Sequence, residues 1–210
     1  MRAVIISGGS VADYDFIKSR IEKNDVIICA DSGYDHAVKM SLCVSAVVGD
    51  FDSIQSKNIP ADIEIVRVPA KKDLTDTELA LKYAREKGFR DFLFLAATGS
   101  RFDHSLANVM LLKGVALRGE SAVIIDEHNK IMMTNSEIHL HEPVGSIVSL
   151  IPVTDCSGVN AKGFEYPLSG ADMQMGEGLG ISNVMTKSRA AVSVERGFLL
   201  VVVARDDYKN

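Results

Sequence analysis

The sequence predicts an α/β fold: an N-terminal, mostly parallel sheet flanked by helices, followed by a smaller all-β sandwich or barrel domain. Three observations predict it. Over the first 126 residues short apolar runs alternate with polar, amphipathic stretches, the pattern of βαβ units. From about residue 127 the β-rich runs follow one another, with turn residues between them and no helical periodicity. At 210 residues, with 47% apolar and 24% charged side chains, the chain suits one large folded domain or two small ones. The expected division is an α/β domain over 1–127 and a β domain over 128–210.

In chain order, Ala3 to Ser7 reads as the first strand, followed by Gly8-Gly9-Ser10 and a polar amphipathic segment from Asp13 to Lys23. Val26 to Ala30 is the second strand and ends in Asp31-Ser32-Gly33. Ala46 to Val48 is the third and Ile63 to Val68 the fourth. Asp73 to Lys87 carries the clearest helix signal. Thr75 and Glu78 form a T-x-x-E capping box, Leu74, Thr77, Leu81 and Ala84 share a face, and Gly88 stops the helix after Arg85 and Lys87. Asp91 to Ala96 is the fifth strand, then come Thr98-Gly99-Ser100, a helix from about Asp103 to Leu117, and a sixth strand over Ala122 to Ile125. In the second domain, 130–134, 137–141, 146–151, 190–195 and 198–204 read as strands, and the Gly- and Met-rich stretch 169–180 reads as a loop.

Composition excludes several classes. A net charge of −5, with no basic run longer than Lys71-Lys72, argues against a surface built for nucleic acid. Cys29, Cys43 and Cys156 are odd in number and lack metal spacing, so neither a disulfide scaffold nor structural zinc is expected. No stretch approaches 18 apolar residues, and the chain runs directly into Ala3-Val4-Ile5-Ile6 with no room for a signal peptide. The expectation is a cytoplasmic protein that binds no membrane.

The chemistry concentrates at strand ends. Gly49-Asp50-Phe51-Asp52-Ser53 follows Ala46-Val47-Val48, so both carboxylates fall at the carboxyl end of a short buried strand, where open α/β sheets bind ligands. Alternation along an extended chain would point Asp50 and Asp52 together and turn Phe51 into the packing. Two carboxylates ~4 Å apart repel by roughly 4 kcal/mol at an effective dielectric of 20, a cost that a hard divalent cation removes. The plain alternative is an Asp-rich turn. Asp31-Ser32-Gly33, Asp73 to Asp76 and Arg101-Phe102-Asp103-His104 also end or follow strands, and in a parallel sheet those ends lie along one edge. Four acidic motifs in one cleft call for a cation, and magnesium carrying a phosphorylated substrate is the economical occupant. Asp73 and Asp76 have a structural alternative as first-turn acids opposing the helix dipole. Arg101, beside Gly99 and before a helix, is placed to grip phosphate; His104 and Asn108 are as well explained by local structure. Gly8-Gly9-Ser10 would let a nucleotide approach the backbone, although neither a P-loop nor a dinucleotide fingerprint is present.

Taken together, Ala30-Asp31-Ser32-Gly33, Gly49-Asp50-Phe51-Asp52-Ser53, Lys72-Asp73-Leu74-Thr75-Asp76-Thr77-Glu78, Gly99-Ser100-Arg101-Phe102-Asp103-His104, Gly163-Phe164-Glu165-Tyr166-Pro167-Leu168 and Gly180-Ile181-Ser182-Asn183 resemble the thiamine pyrophosphokinase family. The resemblance implies a homodimer with active sites between subunits. It also implies transfer of diphosphate from ATP to the hydroxyl of thiamine, giving thiamine diphosphate and AMP with Mg2+. By position it implies Asp50, Asp52 and Asp76 as metal ligands, and Asp31, Arg101 and Asp103 around the phosphates and the attacking hydroxyl. It further implies Gly8, Gly9, Ser32, Asp73, Thr75, Gly99, Arg101 and His104 at ATP, and Ser182 and Asn183 at thiamine, with Tyr166 or a Phe as the aromatic platform in a chain without Trp. Ser100, Glu165 and Val184 depart from the family's usual pattern. Two other readings of the residues stay open: a phosphatase using Asp50 as nucleophile and Asp52 as acid/base, and a non-catalytic nucleotide-sensing module.

Overall fold

The structure is a computed structural model that describes residues 1–56, 59–68 and 73–205. Lys71 and Lys72, which the sequence motifs include, lie outside the described residues. The chain forms two compact units, Met1–Leu111 with Glu120–Glu127, and Leu112–Gly119 with His128–Asn210. The second unit therefore takes the last turn of a helix as well as the β-rich part.

In the first unit the elements are β1 (Ala3–Ile6), α1 (Tyr14–Lys18), β2 (Val26–Ala30), α2 (Gly33–Lys39), β3 (Val44–Gly49), β4 (Glu64–Arg67), α3 (Asp76–Glu86), β5 (Asp91–Leu95), α4 (Phe102–Ala116) and β6 (Ser121–Ile125). The strands pair in the order β4-β3-β2-β1-β5-β6, all parallel. β1 to β4 are laid down in one direction and β5 returns to the other side of β1, so the strand order reverses there. That reversal is the topological switch point, where the connections diverge and leave a crevice.

The central strands β1, β2, β3 and β5 are buried on both faces, as a parallel sheet covered by helices requires, while the edge strand β4 is largely exposed. Val4 and Ile6 of β1, Ile27 and Cys29 of β2, Val47 of β3, and Leu93 and Leu95 of β5 form one core with Ile17 of α1 and Tyr34 and Ala37 of α2. The alternate residues Ala3, Ile5, Ile28, Ala46 and Phe94 are buried toward the opposite face. There α3 buries Thr77, Ala80, Leu81 and Ala84, and the Thr77 hydroxyl meets that of Ser7 at 2.9 Å, just past β1. α3 starts where its capping sequence predicts: Thr75 Oγ1 accepts a hydrogen bond from the Glu78 N–H at 3.2 Å. It ends before Gly88, whose φ of 92° suits glycine.

Within the amphipathic segment Asp13 to Lys23 the helix is the five-residue α1, capped by Asp13, whose side chain accepts from the Phe16 N–H. α2 is absent from the sequence-based expectation: a seven-residue helix opening on Gly-Tyr-Asp has too few turns to show a periodic apolar face.

The second unit holds β7 (Asn129–Thr134), β8 (Glu137–His141), β9 (Ile147–Pro152), β10 (Cys156–Lys162), β11 (Leu168–Met173), β12 (Gly180–Val184), β13 (Arg189–Ser193) and β14 (Leu199–Ala204). They pair antiparallel in the orders β12-β9-β14-β7 and β11-β10-β13-β8. Both sheets bury alternate residues, such as Val148, Leu150 and Val201 in the first, and Leu140, Val159, Ala161 and Val192 in the second. The reading of 169–180 as a loop is corrected: 168–173 form β11 and Gly180 begins β12. Small and polar residues hid these strands, because Ser169, Gly170 and Asp172 carry no β-branched or apolar signal.

Candidate functional site

The cleft of the first unit lies at the carboxyl ends of β1, β2 and β5, along the switch point, and encloses about 480 Å³. Gly8, Gly9 and Ser10 follow β1; Asp31 and Ser32 follow β2; Thr98 to Arg101 follow β5; and Thr75 and Asp76 begin α3. Each strand is short, so its end delivers a loop to the same edge.

The backbone at these ends is unusual. Asp31 takes φ 43°, Ala96 φ 51° and Phe51 φ 70°, all left-handed conformations that a side chain disfavours. Such residues cost on the order of 1 kcal/mol each and persist where the surroundings over-determine them. The turn at Phe51 corrects one expectation. β3 ends at Gly49, so Asp50 and Asp52 are not brought together by strand alternation. A left-handed turn does it instead, with the Asp52 N–H donating to Asp50 Oδ1 at 3.2 Å and the Ser53 hydroxyl donating to Asp52 Oδ1 at 2.8 Å. Phe51 does pack as foreseen. It rests on the α1/α2 core, with the Arg67 guanidinium 4.7 Å over its ring.

Three carboxylates converge beside the cleft: Asp31, Asp50 and Asp52 each offer an oxygen, and these oxygens lie within 4.8 Å of one another. Asp31 and Asp76 line the cleft, Asp50 and Asp52 do not, and Asp76 is not part of this cluster. Asp31 is only 6% exposed. Burial pushes its carboxyl up, the Ser32 backbone N–H pulls it down, and the charges of Asp76 and Asp50 push it up again. Its position is held tightly: the Asp31 N–H donates to Val48 O at 2.9 Å, and Asp31 Oδ1 accepts from the Phe51 N–H at 3.2 Å. Gly49 makes that approach possible, since a Cβ there would stand 2.9 Å from the Asp31 Cβ. The set fits a hard divalent cation. All three donors are carboxylate oxygens, which such a cation prefers, and its charge would relieve the crowding on buried Asp31.

The other expected residues divide. Gly8, Gly9, Ser32, Thr75, Asp76, Gly99, Arg101 and His104 all line the cleft; Asp73 and Asp103 do not. The two glycines after β1 are required sterically, because a Cβ on Gly8 would strike the Ser32 hydroxyl, and one on Gly9 the carbonyls of Ala96 and Thr98. Arg101 and Asp103 pair with each other at the start of α4, Nε to Oδ1 at 3.2 Å and a terminal nitrogen to Oδ2 at 2.6 Å. This guanidinium holds the Asp103 carboxyl down at about 2. A lowered carboxyl favours the fold above its ordinary value of 3.8 and loses that effect as pH falls through about 2. In Arg101→Ala the Asp103 titration followed by carbon-detected NMR should return upward toward 3.8; a midpoint still near 2 would disconnect the two groups.

Residues outside the strand-end motifs hold the cleft loops. Asp35 of α2 accepts from the Gln55 and Ser56 N–H groups at 3.0 and 2.8 Å, tying down the chain after the carboxylate turn. The Ser105 hydroxyl accepts from the Gly99 N–H at 3.0 Å, and the buried Asp126 carboxylate accepts from the Thr98 hydroxyl at 2.7 Å. Asn108 buries its amide against Ala97 O at 2.8 Å, the local role that its position allowed. None of these falls in a recognisable spacing; only the tertiary fold joins them to the cleft.

In the second unit Asn183 is buried and bonded on both ends of its amide. Its Oδ1 accepts from the N–H groups of Tyr166 at 3.1 Å and Val184 at 2.9 Å, and its Nδ2 donates to Tyr166 O at 2.7 Å. Tyr166 is exposed, and Ser182, at φ 56°, is exposed with its N–H donating to the Ser149 hydroxyl.

A family model described as "Thiamin pyrophosphokinase, catalytic domain" matches residues 17–124, and one described as "Thiamin pyrophosphokinase, vitamin B1 binding domain" matches 135–199. The chain belongs to the thiamin pyrophosphokinase family. It is therefore an enzyme, a diphosphotransferase, and the family's reaction carries diphosphate from ATP to the hydroxyl of thiamine, giving thiamine diphosphate and AMP. Membership sets aside the phosphatase and sensing-module readings. The thiamine pyrophosphokinase of Bacillus subtilis is 29% identical over 209 residues, covering 96% of this chain and 98% of the relative. A crystal structure of the Bacillus subtilis protein matches with a TM-score of 0.88 at 28% identity, over 98% of this chain and 100% of that one. One from Geobacillus thermodenitrificans matches at 0.84 and 27%, over 99% of each chain.

Proposed function

We propose that the cleft of the first unit is where this thiamin pyrophosphokinase family member holds ATP and Mg2+, with Asp31, Asp50 and Asp52 as the metal's carboxylates and Asp76 on the adjoining wall. The observation that carries this reading is the convergence of the three carboxylates at the carboxyl ends of β2 and β3, where Asp31 lines the cleft. The bound metal supplies charge neutralisation and alignment of the triphosphate. Arg101 faces the cleft from the start of α4, where an exposed pair with Asp103 is weak enough to yield to a phosphate. Gly8, Gly9, Ser32, Thr75, Gly99 and His104 supply the nucleotide's walls.

The chemistry proposed is in-line attack. The thiamine hydroxyl oxygen bonds to the β-phosphorus of ATP, the bond from that phosphorus to the oxygen bridging it to the α-phosphorus breaks, and AMP leaves. A nearby carboxylate, Asp31 or Asp103, accepts the hydroxyl proton. Tyr166 and Ser182, both exposed, supply the thiamine contacts. Asn183 acts by fixing the Tyr166 backbone, since both lone pairs of its oxygen are already used.

The assembly proposed is the family's homodimer, in the cytoplasm. The three described cysteines are unpaired, as a reducing compartment allows, and no described helix is long and apolar enough to cross a membrane. Incubating the purified protein with ATP, Mg2+ and thiamine should yield AMP and thiamine diphosphate in equal amounts, and chelating the metal should stop both. Release of inorganic phosphate without AMP would contradict the reading.

A further inference from the structure

We propose that His36 is a positioning residue for the nucleotide site, holding the Gly8–Ser10 wall of the cleft through a Tyr14–His36–Gly9 relay. The proposal rests on the reading that ATP lies along that wall.

His36 stands in the middle of α2, behind the cleft, and is not among the residues lining it. Its Nε2 lies 2.9 Å from the carbonyl oxygen of Gly9, and its Nδ1 lies 2.8 Å from the hydroxyl of Tyr14, one turn of chain beyond the loop. A carbonyl only accepts, so Nε2 carries the hydrogen. The neutral ring then leaves Nδ1 as an acceptor, and the Tyr14 O–H donates to it. Burial lowers the imidazole's pKa and so favours this neutral form; Lys39 pushes the same way, and the Gly9 carbonyl and Asp35 push against it. The Tyr14 and His36 rings stand 5.7 Å apart at 43°, and the Lys39 ammonium sits 5.5 Å from the Tyr14 ring.

The loop has a specific need for this. Two consecutive glycines carry the largest conformational freedom a chain can have, and a wall that must meet a ligand gains by losing that freedom beforehand. Its amide side is tied inward: the Gly9 N–H donates to Ala96 O at 2.7 Å, and the Ser10 N–H to Thr98 O at 2.9 Å. His36 ties the carbonyl side of the same Gly9–Ser10 peptide outward, to α2. The peptide plane is thus gripped at both ends, and the wall becomes a rigid extension of β1, β5 and α2.

Steady-state kinetics with ATP and thiamine varied separately test this. His36→Leu should raise KM for ATP about fivefold, the size of one net hydrogen bond, and leave kcat and KM for thiamine within about twofold. His36→Gln, which can keep an N–H at the Nε2 position, should restore KM for ATP. Tyr14→Phe should produce a smaller rise, and adding it to His36→Leu should add nothing, because the relay is then already cut. Equal increases in both KM values, or no rescue by glutamine, would mean a merely structural histidine and would overturn the proposal. If the leucine variant fails to fold, the glutamine and Tyr14→Phe variants still decide, since KM for ATP must then follow the donor and the hydroxyl. Ser10→Asp separates the underlying reading: a carboxylate on the exposed end of this wall should raise KM for ATP about tenfold by repelling phosphate. No change in that variant would show that ATP lies elsewhere, and the positioning role would fall with it.

Discussion

Asp50→Asn should lower kcat about a thousandfold while leaving the protein folded. The side chain is isosteric and keeps Oδ1 as the acceptor for the Asp52 N–H, so the turn that carries Asp50 and Asp52 keeps its internal bond. What it removes is one of three charges converging with Asp31 and Asp52. A metal that neutralises a transferring diphosphate supplies several kcal/mol of transition-state stabilisation, and about 4 kcal/mol corresponds to the expected loss. The accompanying stability change has the opposite sign. Asp50 is one of the charges that make ionised Asp31 unfavourable, so without metal the variant should melt no lower than the parent chain. AMP production as a function of magnesium, beside thermal melts in chelator, reads both quantities. Parental kcat in the asparagine variant would remove Asp50 from the metal set.

Asn183→Ala should destabilise the second unit by about 3 kcal/mol, a fall in melting temperature of roughly 6–12 °C. The amide is buried and joins β12 to the Tyr166 backbone through a donor and an acceptor, with Val184 as a third partner. Alanine removes all three of these hydrogen bonds, each worth about 1 kcal/mol net. A direct thiamine contact predicts something different: an unchanged melt and a raised KM for thiamine alone. Differential scanning calorimetry of the intact chain, with its kinetics, distinguishes the two, and an unaltered melting curve would return Asn183 to the ligand.

The legible parts of this protein were those whose signal is local. Val26–Ala30 and Asp91–Leu95 announce themselves as apolar runs closed by turn residues, and α3 by Thr75, Glu78 and Gly88. The sequence motifs also picked out the cleft: Asp31, Asp76, Gly9, Gly99 and Arg101 line it, and Asp50 and Asp52 stand with Asp31. Where local signal was weak the reading thinned. α2 is one short helix, and β10 to β12 are built from small and polar residues whose strand pairing comes from neighbours.

By itself, then, the sequence determined the alternation of strands and helices, the change to an all-β region, and the strand ends on which the carboxylates fall, because periodicity and turn chemistry are properties of a few adjacent residues. Only the tertiary structure decided how those carboxylates meet: through left-handed turns at Asp31 and Phe51 that Gly49 makes room for, not through an extended strand. It also decided that α2 braces the site, with Asp35 on one loop and His36 on another. Such contacts join residues about twenty or more apart in the chain, and the free energy that fixes them is set by what surrounds them after folding, which no local pattern records.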